Sequence, residues 1–190
     1  MSSNPTFTSV QGQLLLAMPG LAGSFFSGAL IYMVDHSEDG AFGLVINHPL
    51  DLSIDDVLRQ LYPGYSQQLY PQPVLSGGPV ENQRGFVLHH QSNANWEGQL
   101  PLDKQLAVTS SSDILQAISE GENIGDFLLI LGYAGWGPGQ LESELADNAW
   151  LTLPADEQIL FNTPLEQRAQ LASQKLGFDY RLLSGEAGHS

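Results

Sequence analysis

The apolar residues of this chain come in short runs, each closed by glycine, proline or a polar turn, and that punctuation limits the fold more than any other feature. Leu14-Leu15-Leu16-Ala17-Met18 stops at Pro19-Gly20, which predicts a buried strand followed by a turn. Ala29-Leu30-Ile31-Tyr32-Met33-Val34 and Gly43-Leu44-Val45-Ile46 flank a loop whose Asp39-Gly40 step suits a tight hairpin turn. Phe127-Leu128-Leu129-Ile130-Leu131, the most apolar run, is short enough to be a central strand covered on both faces. Further strands are predicted at Val74-Leu75, Phe86-Val87-Leu88, Leu106 to Thr109 and Trp150 to Leu153.

Helical patterns appear between these runs. Ser53 stands where an N-cap belongs, with Asp55 and Asp56 in the first turn and apolar residues at helical spacing to Leu61. Ser112 to Ile118 repeats that pattern, Gln140 to Leu145 follows Pro138, and a last helix is predicted from Pro164 to about Leu176. Hairpins early and strand–helix alternation late favour a mixed sheet, and no fixed period supports a solenoid or propeller. The expected organisation is a loose leader over 1–12, one domain over 13–183 and a tail over 184–190.

A chain of 190 residues with 42% hydrophobic and 14% charged residues can fill such a core alone. With no cysteine, disulfides, thiolate metal sites and cysteine nucleophiles are excluded, and the cytoplasm is the expected compartment. Leu14 to Val34 is uncharged and long enough to raise a membrane span, but Pro19, Gly20, Gly23 and Gly28 interrupt it, so no membrane segment is expected. The 21 acidic residues face six basic ones, for a net charge of -15. Duplex DNA should be repelled, since affinity for it rests on clustered Lys and Arg. The nearest thing to a basic cluster is Arg168, Lys175 and Arg181, and Gly177 should end the helix before it can align all of them.

Two places could hold chemistry. Gly77-Gly78-Pro79-Val80 lies ahead of Arg84 and His89; adjacent glycines can turn backbone N–H groups toward a ligand, and an arginine can pair with a carboxylate or phosphate. The same letters also describe a tight turn with a structural arginine and an imidazole held in the core. The second place is the glycine-rich loop expected from Gly132 to Gly139, which joins the buried strand to the helix that begins at Gln140, where a helix N-terminus could meet an anion. Glu142 and Glu144 argue against that, and the glycines can equally serve the close packing of Tyr133 and Trp136. The five histidines have no metal-binding spacing: His89 and His90 are neighbours, which point to opposite faces of a strand. Neither a metal nor a cofactor is expected, and the glycine-flanked serine elbow of the α/β-hydrolases is absent.

Taken in order, these stretches resemble a bacterial family. Leu16-Ala17-Met18-Pro19, Gly40-Ala41-Phe42-Gly43-Leu44-Val45-Ile46-Asn47, Gly77 to Val80 with Arg84 to His89, Leu131 to Trp136 with Gly139 to Leu145, and Trp150 are similar to the AlgH/YqgE family from about residue 13 to residue 180. The resemblance implies an α+β fold with a mixed, largely antiparallel sheet curled into a partial barrel and helices packed outside. It implies little chemistry: the family label of transcriptional regulator comes from a link to alginate production in one member. Where the family has an acidic residue after its Met-Pro motif this chain reads Leu21-Ala22-Gly23, and where it often has an arginine after the strand asparagine this chain has His48, so a charged pair there is not carried over. The first expectation is therefore a non-enzymatic regulatory or interaction protein acting on transcription indirectly, through a protein partner or a small anionic metabolite. The alternative is an enzyme or small-molecule binder with an anionic ligand near Gly77 to Val80. The candidate surface comprises Asn47, Gly77, Gly78, Pro79, Arg84, His89, Gly132, Trp136, Gln140 and Glu142.

Overall fold

The computed structural model describes residues 6–183; the expected tail over 184–190 and residues 1–5 of the expected leader lie outside the described residues. The chain runs β1 (Gln13–Ala17), β2 (Leu30–Ser37), β3 (Gly40–Val45), β4 (Pro49–Ser53), α1 (Ile54–Leu61), β5 (Pro73–Ser76), β6 (Val80–His90), β7 (Gln99–Pro101), β8 (Leu106–Thr109) and α2 (Ser112–Ser119). It continues with β9 (Phe127–Trp136), α3 (Gln140–Ala146), β10 (Trp150–Pro154), α4 (Glu157–Phe161) and α5 (Leu165–Lys175). The strands form one sheet in the order β10-β1-β2-β3-β9-β6-β8-β7, with β5 branching from β9 and carrying β4. Among the described residues only the β5–β9 pairing is parallel. The sheet curls into a half-barrel with five helices, the architecture that the resemblance implies.

Strand alternation sorts the core into faces. Leu14, Leu16, Leu30, Tyr32 and Leu44 point to one side, where Ile159 and Leu160 of α4 and Ala172 of α5 cover them. Leu15, Ala17, Ile31, Met33 and Val45 point to the other, beneath Leu141 of α3 and the Trp136 and Trp150 rings. A third cluster puts Ile54 and Leu58 of α1 and Ile114 and Ile118 of α2 against Val87 and Leu129. Each such Leu, Ile, Val or Met side chain contributes about 1.5–3 kcal/mol of burial.

The expected hairpin forms, but its two turn residues are Glu38 and Asp39, one position earlier than the Asp39-Gly40 step; Gly40, at φ +139°, opens β3 opposite Ser37. At α1 the Ser53 hydroxyl accepts from the Asp56 N–H at 3.1 Å while the Asp56 carboxylate accepts from the Ser53 N–H at 3.0 Å, a reciprocal cap. Asp55, buried one position away, accepts from the Tyr65 hydroxyl at 2.6 Å and from the Tyr70 N–H at 3.0 Å, which folds the following loop back over the helix start.

Three expectations need correction. Gly132 to Trp136 is not loop: the strand that begins at Phe127 continues to Trp136, bending at Gly132, whose φ of +77° is open only to glycine at low cost. Before that bend β9 pairs with β5 and most of β6, and beyond it with β3 and, at Tyr133, with Val80 of β6, which joins the two halves of the sheet. The short helix α4 and the strand β4 were not predicted. Residues 7–12 are not wholly loose either: Ser9 and Val10 bond to His36 at 2.9 and 3.0 Å, and the Gly12 N–H donates to the Met33 carbonyl at 2.8 Å.

Candidate functional site

A cleft of about 320 Å³ opens where the α4–α5 corner crosses the start of β9 and the end of the segment leading into β5. The chain builds it by placing an arginine on the core-facing stripe of α5. Leu165, Arg168 and Ala172 stand three and four residues apart, so they share a face, and that face meets the sheet. The Arg168 Nε–H donates to the Thr163 carbonyl at 3.0 Å, and Nη1 donates to the Ile46 carbonyl at the end of β3. Arg168 is only 5% exposed, and no carboxylate among the described residues pairs with it. Burial lowers its pKa to about 10, which leaves the guanidinium charged at neutral pH. Around it the cleft is lined by Leu75, Leu165 and the half-buried rings of Tyr70, Phe127 and Phe161. The carboxylate on the wall, Asp126, is solvent-exposed.

The residues singled out from the sequence do not gather there, and most are already committed. Gly77 and Gly78 cross β9 so closely that a Cβ on Gly77 would lie 2.4 Å from the Gly132 carbonyl oxygen and one on Gly78 2.0 Å from the Tyr133 carbonyl carbon. The Gly77 N–H donates to the Leu131 carbonyl at 2.8 Å and its carbonyl accepts from the Val45 N–H at 2.9 Å, so the backbone there has little left to offer a ligand. Pro79 is exposed just beyond the crossing. Arg84 is half-exposed, donates to Glu81 at 3.2 Å and lies over the Phe86 ring at 5.2 Å. His89 is 1% exposed; its Nδ1 bonds to the His90 carbonyl and its Nε2 to the Thr109 hydroxyl, both at 2.7 Å, and burial holds its pKa below the usual histidine range. Arg84 and His89 are thus separated by roughly 17 Å of strand and face opposite sides.

The other motif residues brace the fold. Asn47 accepts from the Leu30 N–H and donates to the Gly28 carbonyl, both at 2.9 Å, which fixes the chain entering β2. Trp136 and Trp150 both donate their indole N–H to the Glu144 carboxylate, at 2.8 and 2.9 Å, and Gln140 reaches the same carboxylate at 3.3 Å. His36 accepts the Val10 N–H on Nδ1, so its Nε2 carries the proton that it donates to Glu142 at 2.8 Å. Partial burial raises the Glu142 pKa, but its own backbone N–H and the His36 ring outweigh that and leave it below the ordinary range. Among the described residues no three His, Asp or Glu side chains converge as a metal cluster.

An AlgH-like family model matches residues 14–181. The chain belongs to the AlgH-like family. A UPF0301 protein of Thioalkalivibrio sulfidiphilus is 47% identical over the full length of both chains, and one of Burkholderia vietnamiensis is 44% identical over the same full coverage. The solution structure of the AlgH protein from Pseudomonas aeruginosa, 44% identical, superposes with a TM-score of 0.76 over all of both chains. A Corynebacterium diphtheriae protein at 22% identity shares the fold with a TM-score of 0.72, covering 97% of this chain and 94% of its own.

At the two places where no charged pair is expected, this AlgH-like protein is apolar or half-buried. His48 lies with its ring 5.7 Å from Phe25, its pKa lowered by burial despite a hydrogen bond to the Ser27 backbone. The C-terminal basic trio is dispersed: Arg168 is buried, Lys175 pairs with Asp156, and Arg181 pairs with Asp179 at 2.8 Å. The helix carrying the first two stops at Lys175, and Gly177 at φ +90° follows. Reading Arg168 as part of that basic trio misses its burial in the cleft wall. The available signal was its position on the apolar stripe of α5, where a charge needs a reason to be.

Proposed function

We propose that this AlgH-like protein is a non-enzymatic regulatory protein that takes a small anion at Arg168. The observation that carries the reading is a buried guanidinium, lacking a carboxylate partner among the described residues, on the wall of a cleft large enough for a small molecule. Desolvation makes an unpaired charge costly, and an anionic ligand relieves that cost. The cleft supplies no pair of groups suited to acid–base or nucleophilic work: the Thr163 hydroxyl is committed to the Gln158 carbonyl at 2.7 Å, and Asp126 faces solvent. The turn from Gly77 to Val80 is the weaker seat, because its glycines serve a strand crossing and Arg84 and His89 lie apart.

Any influence on transcription passes through this ligand or a protein partner rather than through DNA, and the protein works in the cytoplasm. The reasons are the net charge of -15 and the engagement of Arg59, Arg84, Lys175 and Arg181 with acidic neighbours. Among the described residues no helix is long and apolar enough to cross a membrane.

A thermal-shift screen of small anions on the wild type and on Arg168→Lys tests the reading. An anion at about 100 times its Kd should stabilise the wild type by about 2.7 kcal/mol, and the response should shrink in the variant. If Arg168→Lys folds and keeps every response, the anion sits elsewhere.

A further inference from the structure

We infer that the Arg168 cleft is built for a small monocarboxylate with an aromatic or branched apolar body, an inference that rests on the cleft being the ligand seat. The charge count favours one negative charge. Arg168 is the cation on the cleft wall, and it has already spent its Nε–H and one Nη1–H on the Thr163 and Ile46 carbonyls. Its Nη2 has no protein partner among the described residues. Those two bonds hold the guanidinium plane in place, so its remaining edge is preorganised for the planar pair of oxygens in a carboxylate. A phosphate dianion would bring an excess charge into the same space, beside Asp126 and against a net charge of -15.

The walls choose the rest of the ligand. Tyr70 and Phe127 meet edge to face with centroids 5.3 Å apart, and Phe161, Leu75 and Leu165 continue an apolar surface that rewards a ring or a branched chain. A space of about 320 Å³ lies at the small end of ligand cavities, which suits a body of one ring rather than a nucleotide. Pro164 and Leu165, the N-cap and first residue of α5, also line the cleft, and no side chain caps that helix, so its positive end adds to the field around the guanidinium.

The test uses the wild-type chain, labelled with ¹⁵N and titrated with 3-phenylpropionate, its neutral amide, and inorganic phosphate. The carboxylate should shift the Arg168 Nε–H and the amides of Asp126, Phe127, Leu128 and Leu165 saturably, and bind at least about tenfold more tightly than the amide, while phosphate leaves them in place. Leu165→Trp, which fills the cleft without touching the bonds of Arg168, should abolish the carboxylate response while its own spectrum remains folded. Equal binding of carboxylate and amide would overturn the inference. Phosphate shifting the same resonances more strongly would overturn the ligand class and leave the anion seat standing. No saturable shift at Arg168 with either anion would overturn both.

Discussion

Two regions of the molecule hold charged side chains inside a largely apolar setting, and they treat those charges in opposite ways. Around α3 each committed atom has its complement: Glu144 receives two indole N–H groups and an amide, and Glu142 receives His36. In the first turn of α5 the Arg168 guanidinium is buried among apolar walls with carbonyls for partners and no counter-charge among the described residues. The first region is dense in sequence motif and chemically satisfied. The second carries little motif and is chemically open. The contrast teaches that a motif can mark a demanding piece of architecture, while the proposed anion seat stands out as a buried charge with no acidic partner among the described residues.

The sharpest way to break this comparison lies at the strand crossing that supports the motif region. Gly78→Ala would place a methyl 2.0 Å from the Tyr133 carbonyl carbon, and backbone cannot yield as a side chain can. A loss of at least about 3 kcal/mol is expected in urea unfolding; a loss below about 1 kcal/mol would mean that the turn has room for a ligand after all. Next in size is Glu144→Leu, which strands the indole N–H groups of Trp136 and Trp150 and should cost about 2–3 kcal/mol with a change in tryptophan emission. Glu144→Gln, which keeps an acceptor, should cost under about 1 kcal/mol.

Arg168→Met should be milder than either, at about 1–2 kcal/mol, because removing a desolvated charge with no acidic partner among the described residues offsets the loss of its bonds to the Thr163 and Ile46 carbonyls. A loss of 3 kcal/mol or more, on the order of a broken buried pair, would make Arg168 a structural staple and remove the asymmetry between the two regions. Smaller still is a pH effect from His48 and His89, whose pKa values burial holds below the usual histidine range. The unfolded chain then takes up protons first as pH falls, so the stability from keeping these rings neutral is present above about pH 6.5 and declines below it. His89→Gln should flatten part of that slope in melting curves. Arg84→Ala should change stability by no more than about 0.5 kcal/mol, since its ion pair is solvent-screened.

Local chemistry was legible in the sequence wherever it acts locally. The Ser53 cap, the hairpin beside Asp39-Gly40 and the stop at Gly177 depend on residues within a few positions, and each lies within a residue of where its letters put it. The continuation of β9 past Gly132 was not legible, because a glycine-rich stretch reads as loop until the crossing by Gly77 and Gly78 gives its φ a purpose. At five residues, α4 is too short to show a helical period. Arg168 was hidden for a similar reason. A charged letter on a helix reads as a solvated face, and what buries this one is a carbonyl 122 residues earlier in the chain.

The most direct test of the contrast is hydrogen exchange followed residue by residue, with and without saturating 3-phenylpropionate. The account predicts added protection confined to the start of β9, the α4–α5 corner and the first turns of α5, with Gly77 to Arg84 and Gly132 to Trp150 unchanged. Protection gained across Gly77 to Arg84 or Gly132 to Trp150, with the α4–α5 corner unaffected, would contradict it.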